Sequence, residues 1–286
     1  MCIKLSPDRV MAVTGQVGSS PVIFAWDSAD GKKIGRAKLP KGSRGVNAIA
    51  VSKDQDYIGC VDLHNDHNVY IYIFGDSGDL ELKKSMKGGQ NKIHDIAFDT
   101  TSNRFVTVGS KHIEFYDADK ADLDQRAGIY DGNKMTSFSC ATWDDQGICW
   151  TGGSNSLVYA WGKDRKCMGT IAAHGKGFVC TINFVNGMLL SGGKDGDVHE
   201  LDRAGMSSKR KWSFNNLVRA VDCMDDKLLV GLRNGTIVER PCGGGADNEI
   251  MHSHNEGEVW GLDTYQGNVI TSGDDDQVIK WDPIKR

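Results

Sequence analysis

SGGKDGDVHELD at 191–202 and SGDDDQVIKWD at 272–282 are two versions of one pattern. Each opens on a small residue that closes an apolar run. Each then passes through glycine and acidic residues, alternates apolar with polar, and ends on Asp. Alternation with period two marks a half-buried strand, and Gly with Asp between two such runs marks a tight turn. Two copies about 80 residues apart call for a search for others, because a fixed period decides the fold before any local reading does.

Three independent series share one period. Small residues end apolar runs at Gly109, Gly152, Gly192, Gly231 and Gly273. The last position of the following run is Trp26, Tyr116, Trp161, Leu201, Arg240 or Trp281, with Asp or Gly next in five of the six. Apolar pairs three apart recur at Val46/Ile49, Ile93/Ile96, Phe138/Ala141, Val179/Ile182, Val218/Val221 and Val259/Leu262. The spacings cluster at about 40 residues, and each period reads as four short strands ending near Trp-Asp. Gly is abundant at 35 and Pro scarce at 5, and no segment sustains a 3.6-residue period, so helices should be few. The expected fold is all-β: a seven-bladed WD-repeat β-propeller of four-stranded blades beginning near 1, 46, 93, 138, 178, 218 and 259.

Within such blades a His before the first strand, a Ser or Thr on the second, a turn Asp and the Trp of the third form a hydrogen-bonded set. His254, Ser272, Asp275 and Trp281 match it in the last unit. His174, Ser191 and Asp195 match it in the fifth, where Leu201 stands in the Trp place. A Ser–His–Asp trio also suggests a hydrolase, but no G-x-S-x-G elbow is present and the trio recurs because the blade recurs, so these residues read as structural.

Composition bounds the function classes. The 286 residues carry a net charge of −4, which gives no broad basic field for nucleic acid or an anionic membrane. No apolar run reaches the roughly 18 residues of a membrane span, and no secretory signal opens the chain. The eight Cys show no CxxC pair and sit mostly in apolar stretches, which reads as buried reduced thiols in a reducing, cytoplasmic compartment. Asn234-Gly235-Thr236 is a glycosylation sequon in form and a hairpin turn by its flanks.

Beyond the generic blade, SPDRVMAVTGQVG (6–18), DLHNDHNVYIY (62–72), VYAWGKD (158–164), LLVGLRNGTIVE (228–239) and EVWGLDTYQGNVITSGDDDQVIKWD (258–282) resemble the echinoderm microtubule-associated protein-like family. The resemblance runs in register from residue 6 to about 282 and fits the first of that family's two tandem propellers. It implies a module of a microtubule-associated protein, located on the cytoskeleton or in the cilium. The family's upstream HELP motif and coiled coil and its second propeller are not found in these residues. With only CIKL for a first inner strand and PIKR after the last clear one, a fragment of a larger multidomain protein with incomplete ring closure is expected, monomeric by itself.

Searches for chemistry give little. There is no Walker-type phosphate loop. Asp117, Asp119, Asp122 and Asp124 in DADKADLD lack the calcium-loop pattern, since Ala121 stands where an oxygen ligand is needed. His64, Asp66 and His67 in DLHNDHN read as a locally hydrogen-bonded turn. No catalytic residue, metal set or cofactor is expected, and the chain reads as a non-enzyme. Binding therefore falls to the propeller rim. Arg44, Lys87, Lys92, Lys134, Lys176, Lys194 and Arg233 lie in loops of one end. Asn47, His94, Ser139, Cys180, Arg219 and Trp260 should ring the channel mouth there, with Arg219 and Trp260 as a candidate hot-spot pair. Two functions follow: a module that docks on tubulin, microtubules or other cytoskeletal proteins, or a generic scaffold for a partner's peptide without tubulin contact.

Overall fold

The computed structural model describes residues 2–251 except 131 and 133, and beyond them the strands Val259–Tyr265, Asn268–Gly273 and Val278–Trp281. Every regular element among the described residues is a β-strand. Six antiparallel sheets of four strands follow one another along the chain, each a meander from inner to outer strand. Their inner strands are Cys2–Leu5, Val46–Val51, Ile93–Phe98, Phe138–Trp143, Val179–Val185 and Val218–Met224. These sheets are called blades one to six here. The remaining sheet, from Val259 to Trp281, has three strands, and no described strand pairs with the outer edge of Val278–Trp281. The expectation of seven four-stranded blades is thus corrected to six: the sequence repeat marks the first three strands of a unit, and the fourth has no signature of its own.

The apolar core lies between blades rather than within them. Met11, Val13, Ile23 and Ala25 of blade one share a cluster with Ile49, Ile58, Cys60 and Tyr72 of blade two. The same arrangement joins two to three, three to four, four to five and five to six. A sheet buried on both faces needs apolar residues at nearly every position, which is why Ile58–Asp62 and Cys149–Gly153 are buried throughout.

Small residues set how closely blades approach. A Cβ at Gly15 would stand 2.4 Å from Val46 Cβ, and one at Gly192 would stand 2.4 Å from Val218 Cγ1. In both cases the second strand of one blade meets the first apolar residue of the next inner strand. Gly152 and Gly192 of the sequence's glycine series lie at such crossings, whereas Gly109 packs on Lys92 O and Ile93 Cα of its own blade.

Side chains on the inner strands also stitch each blade to the next. Cys2 Sγ donates to Val46 O at 3.8 Å, Asn47 Nδ2 to Ile93 O at 2.5 Å, and Asn183 Nδ2 to Val221 O at 3.3 Å. Ser139 Oγ donates to Val179 O, and Asp95 Oδ2 accepts from the Ala141 N–H at 2.9 Å. The arc brings Arg9, in the first turn of blade one, to 3.3 Å from Asp222 on the inner strand of blade six.

Candidate partner-binding rim

One backbone bond repeats in five blades and fixes the geometry of the rim. The residue after the second strand donates its N–H to the carbonyl just before the inner strand. The pairs are Leu63 to Gly45 (2.9 Å), Ser110 to Lys92 (2.8 Å), Ser154 to Ser137 (2.8 Å), Lys194 to Phe178 (3.1 Å) and Arg233 to Leu217 (2.8 Å). The loop entering each blade and its second-to-third-strand turn therefore share one end of the molecule.

At that end every inner strand but that of blade one carries a β-bulge. Pairing jumps from Val46 to Ala48, Ile93 to Asp95, Phe138 to Cys140, Val179 to Thr181, Val218 to Ala220 and Val259 to Gly261. The skipped residues are Asn47, His94, Ser139, Cys180, Arg219 and Trp260, the six that the sequence placed around the channel mouth. A bulge leaves its extra residue outside the ladder and re-aims its side chain. Asn47 and Ser139 use that freedom for the stitches above. His94 Nε2 lies 3.1 Å from Ser110 Oγ, and burial, aided by Lys92, holds its imidazole below the ordinary histidine range. Arg219 is exposed. The side chain of Trp260 lies outside the described residues, so the Arg219–Trp260 pair is not tested.

The basic loop residues divide into two groups. Arg44 donates twice to Leu63 O, at 3.0 and 2.8 Å, and once to Asn65 Oδ1 at 2.8 Å, so its guanidinium holds the neighbouring turn. Lys87 pairs with Asp66 at 2.8 Å, a contact that lowers the Asp66 carboxyl below its usual range. Lys92, Lys134, Lys176, Lys194, Arg219 and Arg233 are exposed and make no ion pair among the described residues. Lys194 lies over the Phe178 ring, 6.0 Å from its centroid.

The DLHNDHN turn is organised by Asp62, which sequence reading passed over. Its buried carboxylate accepts from Ser43 Oγ (2.5 Å), His64 N (3.1 Å), Asn68 N (2.8 Å), Asn68 Nδ2 (3.2 Å) and Tyr70 OH (3.2 Å). The only sequence signal was an Asp closing a wholly apolar strand.

The WD-type sets occupy the same level in successive blades. Trp26 Nε1 donates to Thr14 Oγ1 at 2.8 Å, and Trp161 Nε1 to Thr151 Oγ1 at 2.9 Å. Tyr116 takes the place of Trp in blade three, where Thr107 Oγ1 also meets His112 Nε2 at 2.7 Å. In blade five His174 Nδ1 lies 3.0 Å from Asp195 Oδ1, and His174 Nε2 lies 3.0 Å from Ser191 Oγ. Burial works to raise the Asp195 carboxyl, but His174 and the Gly175 and Asp197 N–H groups bring it below its ordinary value. Leu201 pairs with Leu189 as Trp161 pairs with Cys149, so no indole reaches Ser191. Of the set in the last unit, His254 and Asp275 lie outside the described residues, as does the Trp281 side chain. Ser272 pairs with Gly261 and Val278.

A feature missed in the sequence is His199, cross-strand from Ser191. It is buried, with Nδ1 at 2.7 Å from Ser208 Oγ and Nε2 without a hydrogen-bond partner. Burial and the nearby His174 hold its pKa down at about 4. The signal was available: a His at an inward position of a third strand, two residues before the missing Trp. No helix among the described residues is long and apolar enough to cross a membrane.

Successive WD-type blades with a loop-built rim at one end make a β-propeller. The family model of the echinoderm microtubule-associated protein first β-propeller matches residues 1–240. The chain belongs to this family. Among curated proteins, the ciliary WD repeat-containing protein ctxp80 of Euplotoides octocarinatus is 40% identical over 98% of the chain and 39% of its own length. Echinoderm microtubule-associated protein-like 1 of Homo sapiens is 24% identical over 99% of the chain and 37% of its own. The 77 kDa echinoderm microtubule-associated protein of Strongylocentrotus purpuratus is 26% identical over 98% and 43%. The chain thus spans about two fifths of the length of these relatives. Their names describe microtubule-associated and ciliary proteins rather than enzymes.

Proposed function

We propose that this propeller is a non-catalytic interaction module of a microtubule-associated protein, acting on the cytoskeleton or in the cilium, and that its basic rim docks on the acidic surface of tubulin. One observation carries the reading. Lys92, Lys134, Lys176, Lys194, Arg219 and Arg233 lie in or beside the loops of one end, free of ion pairs among the described residues, on a chain whose net charge is −4. Cations without ion-pair partners gathered at one end favour one orientation of approach to an acidic partner. Family membership and the relatives' names support the choice of partner. The reading is tested by size exclusion with tubulin dimer and by microtubule co-sedimentation, at low and physiological salt. Binding that weakens with salt supports it; passage through both assays untouched at low salt refutes it.

A second reading, a scaffold for a partner's peptide, draws on a different feature. An open cleft of about 660 Å³ lies between blades four and five, lined by Ile148, Trp150, Met168, Met188, Leu201 and Met206 among others. Methionines adapt to varied apolar side chains. A partner whose binding is lost on Met168→Glu and kept on Arg233→Glu would favour this reading.

A further inference from the structure

We propose that blade five holds a site for a divalent transition-metal ion, zinc by its chemistry, with His174, Asp195 and His199 as the protein ligands. One atom from each side chain lies within 4.8 Å of the others, and the cluster is largely buried. The imidazole rings of His174 and His199 meet edge to face, 4.8 Å between centroids.

The argument begins with an unmatched atom. His199 Nε2 is buried and has no hydrogen-bond partner. Leaving a buried polar atom unmatched is costly, and few native groups bear that cost. The equivalent place in blade four is Tyr159, cross-strand from Thr151, and its hydroxyl accepts from Asn155 Nδ2 at 2.9 Å. Blade four also places the Trp161 indole on Thr151. Blade five has Leu201 in the place of Trp161 and an imidazole in the place of Tyr159, so it loses an indole donor and gains a nitrogen that nothing meets.

The donor chemistry fits zinc. Two imidazoles and one carboxylate are a common zinc ligand set, with water in the fourth position. The supporting contacts are those that orient metal ligands: Ser208 Oγ holds His199 Nδ1 at 2.7 Å, and the Gly175 N–H donates to Asp195 Oδ2 at 2.9 Å. His174 would exchange one of its two hydrogen bonds, to Asp195 or to Ser191, for the ion. Bonds of about 2.1 Å set tetrahedral ligand atoms about 3.4 Å apart, so the cluster closes by a little over 1 Å on binding. The exposed turn Gly175, Lys176 and Gly177 flanks His174 and gives an entry path.

The test is zinc chloride titrated into the chelator-stripped chain by calorimetry, with cobalt(II) as a spectroscopic probe of tetrahedral geometry. The expected result is one ion per chain, a raised Tm and tetrahedral cobalt bands. His199→Leu should weaken binding at least tenfold, and without metal it should melt no lower than the parent because the unmatched nitrogen is gone. Ser208→Ala should weaken binding about tenfold by freeing the ring. Absence of saturable uptake overturns the proposal. So does equal affinity in parent and His199→Leu, which would place the ion on other histidines such as His64 and His67. Should His199→Leu not fold, Asp195→Asn decides, and unchanged affinity there overturns the site.

Discussion

The indole N–H of Trp161 reaches Thr151 Oγ1 at 2.9 Å, one strand nearer the channel, and both residues are fully buried. Neither side chain has access to water, so the bond cannot be exchanged for hydration. Trp161→Phe keeps most of the apolar volume and leaves the Thr151 hydroxyl without its donor. The expected cost is about 1–3 kcal/mol, read as a shift in urea midpoint. Leu201→Phe removes no such bond and should cost less; an equal loss at both positions would show that the indole bond is not the source.

Blade spacing makes a prediction of opposite outcomes at two glycines of one repeat. Gly192→Ala puts a methyl 2.4 Å from Val218 Cγ1 and 2.9 Å from Thr181 Cγ2, and should destabilise by about 1–3 kcal/mol. Gly175→Ala, in the loop entering the same blade, meets nothing within 4 Å among the described residues and needs no left-handed backbone, so it should be close to neutral. Thermal melts of the two variants side by side decide it.

Asp62 gathers Ser43, His64, Asn68 and Tyr70 on one buried carboxylate. Asp62→Ala leaves several buried or half-buried donors unmatched at once. The expected loss is at least about 3 kcal/mol. Faster amide exchange in residues 63–68 should accompany it, while blade five is unaffected.

Acid should weaken the chain through its buried histidines. An unfolded His titrates near 6.5, while His199 is held down at about 4. His112 and His94 are lowered in the same direction by burial. Between those values the unfolded chain binds more protons than the folded one, so stability rises with pH. The contribution is present above about pH 6.5 and is lost as pH falls toward 4. Melting temperature measured from pH 7 to pH 4.5, in a chelator, should fall less steeply in His199→Leu than in the parent. Parallel profiles would sink this assignment.

Rim charge reversal separates docking cations from structural ones. Arg233→Glu and Lys176→Glu should reduce tubulin binding several-fold at low salt without changing the melt, because each is exposed and makes no ion pair among the described residues. Arg44→Glu should lower stability as well, since its guanidinium holds Leu63 O and Asn65. Co-sedimentation and thermal melts on all three variants make the comparison.

Much of the fold was legible because a propeller repeats its constraints. The period appears in the glycines near the ends of second strands and in the first apolar residue of each inner strand. The six bulge positions from Asn47 to Trp260 could be named because each directly follows that apolar residue in its unit. Asp62, Asp95 and His199 were not legible. Each is a polar residue in an apolar context whose partners come from another strand or blade, and single-strand periodicity carries no information about them. Arg44 looked like a surface cation for the same reason.

The sequence by itself determined the strand order, the all-β class and the family, since these depend on local alternation, turn chemistry and recurring motifs. Only the tertiary structure decided how many blades have four strands, because a fourth strand is recognised by pairing rather than by composition. It also decided which rim cations make no ion pair among the described residues, because an ion pair depends on a carboxylate from another loop. It placed His199 beside His174 and Asp195, because a buried atom is left unmatched only by the packing around it.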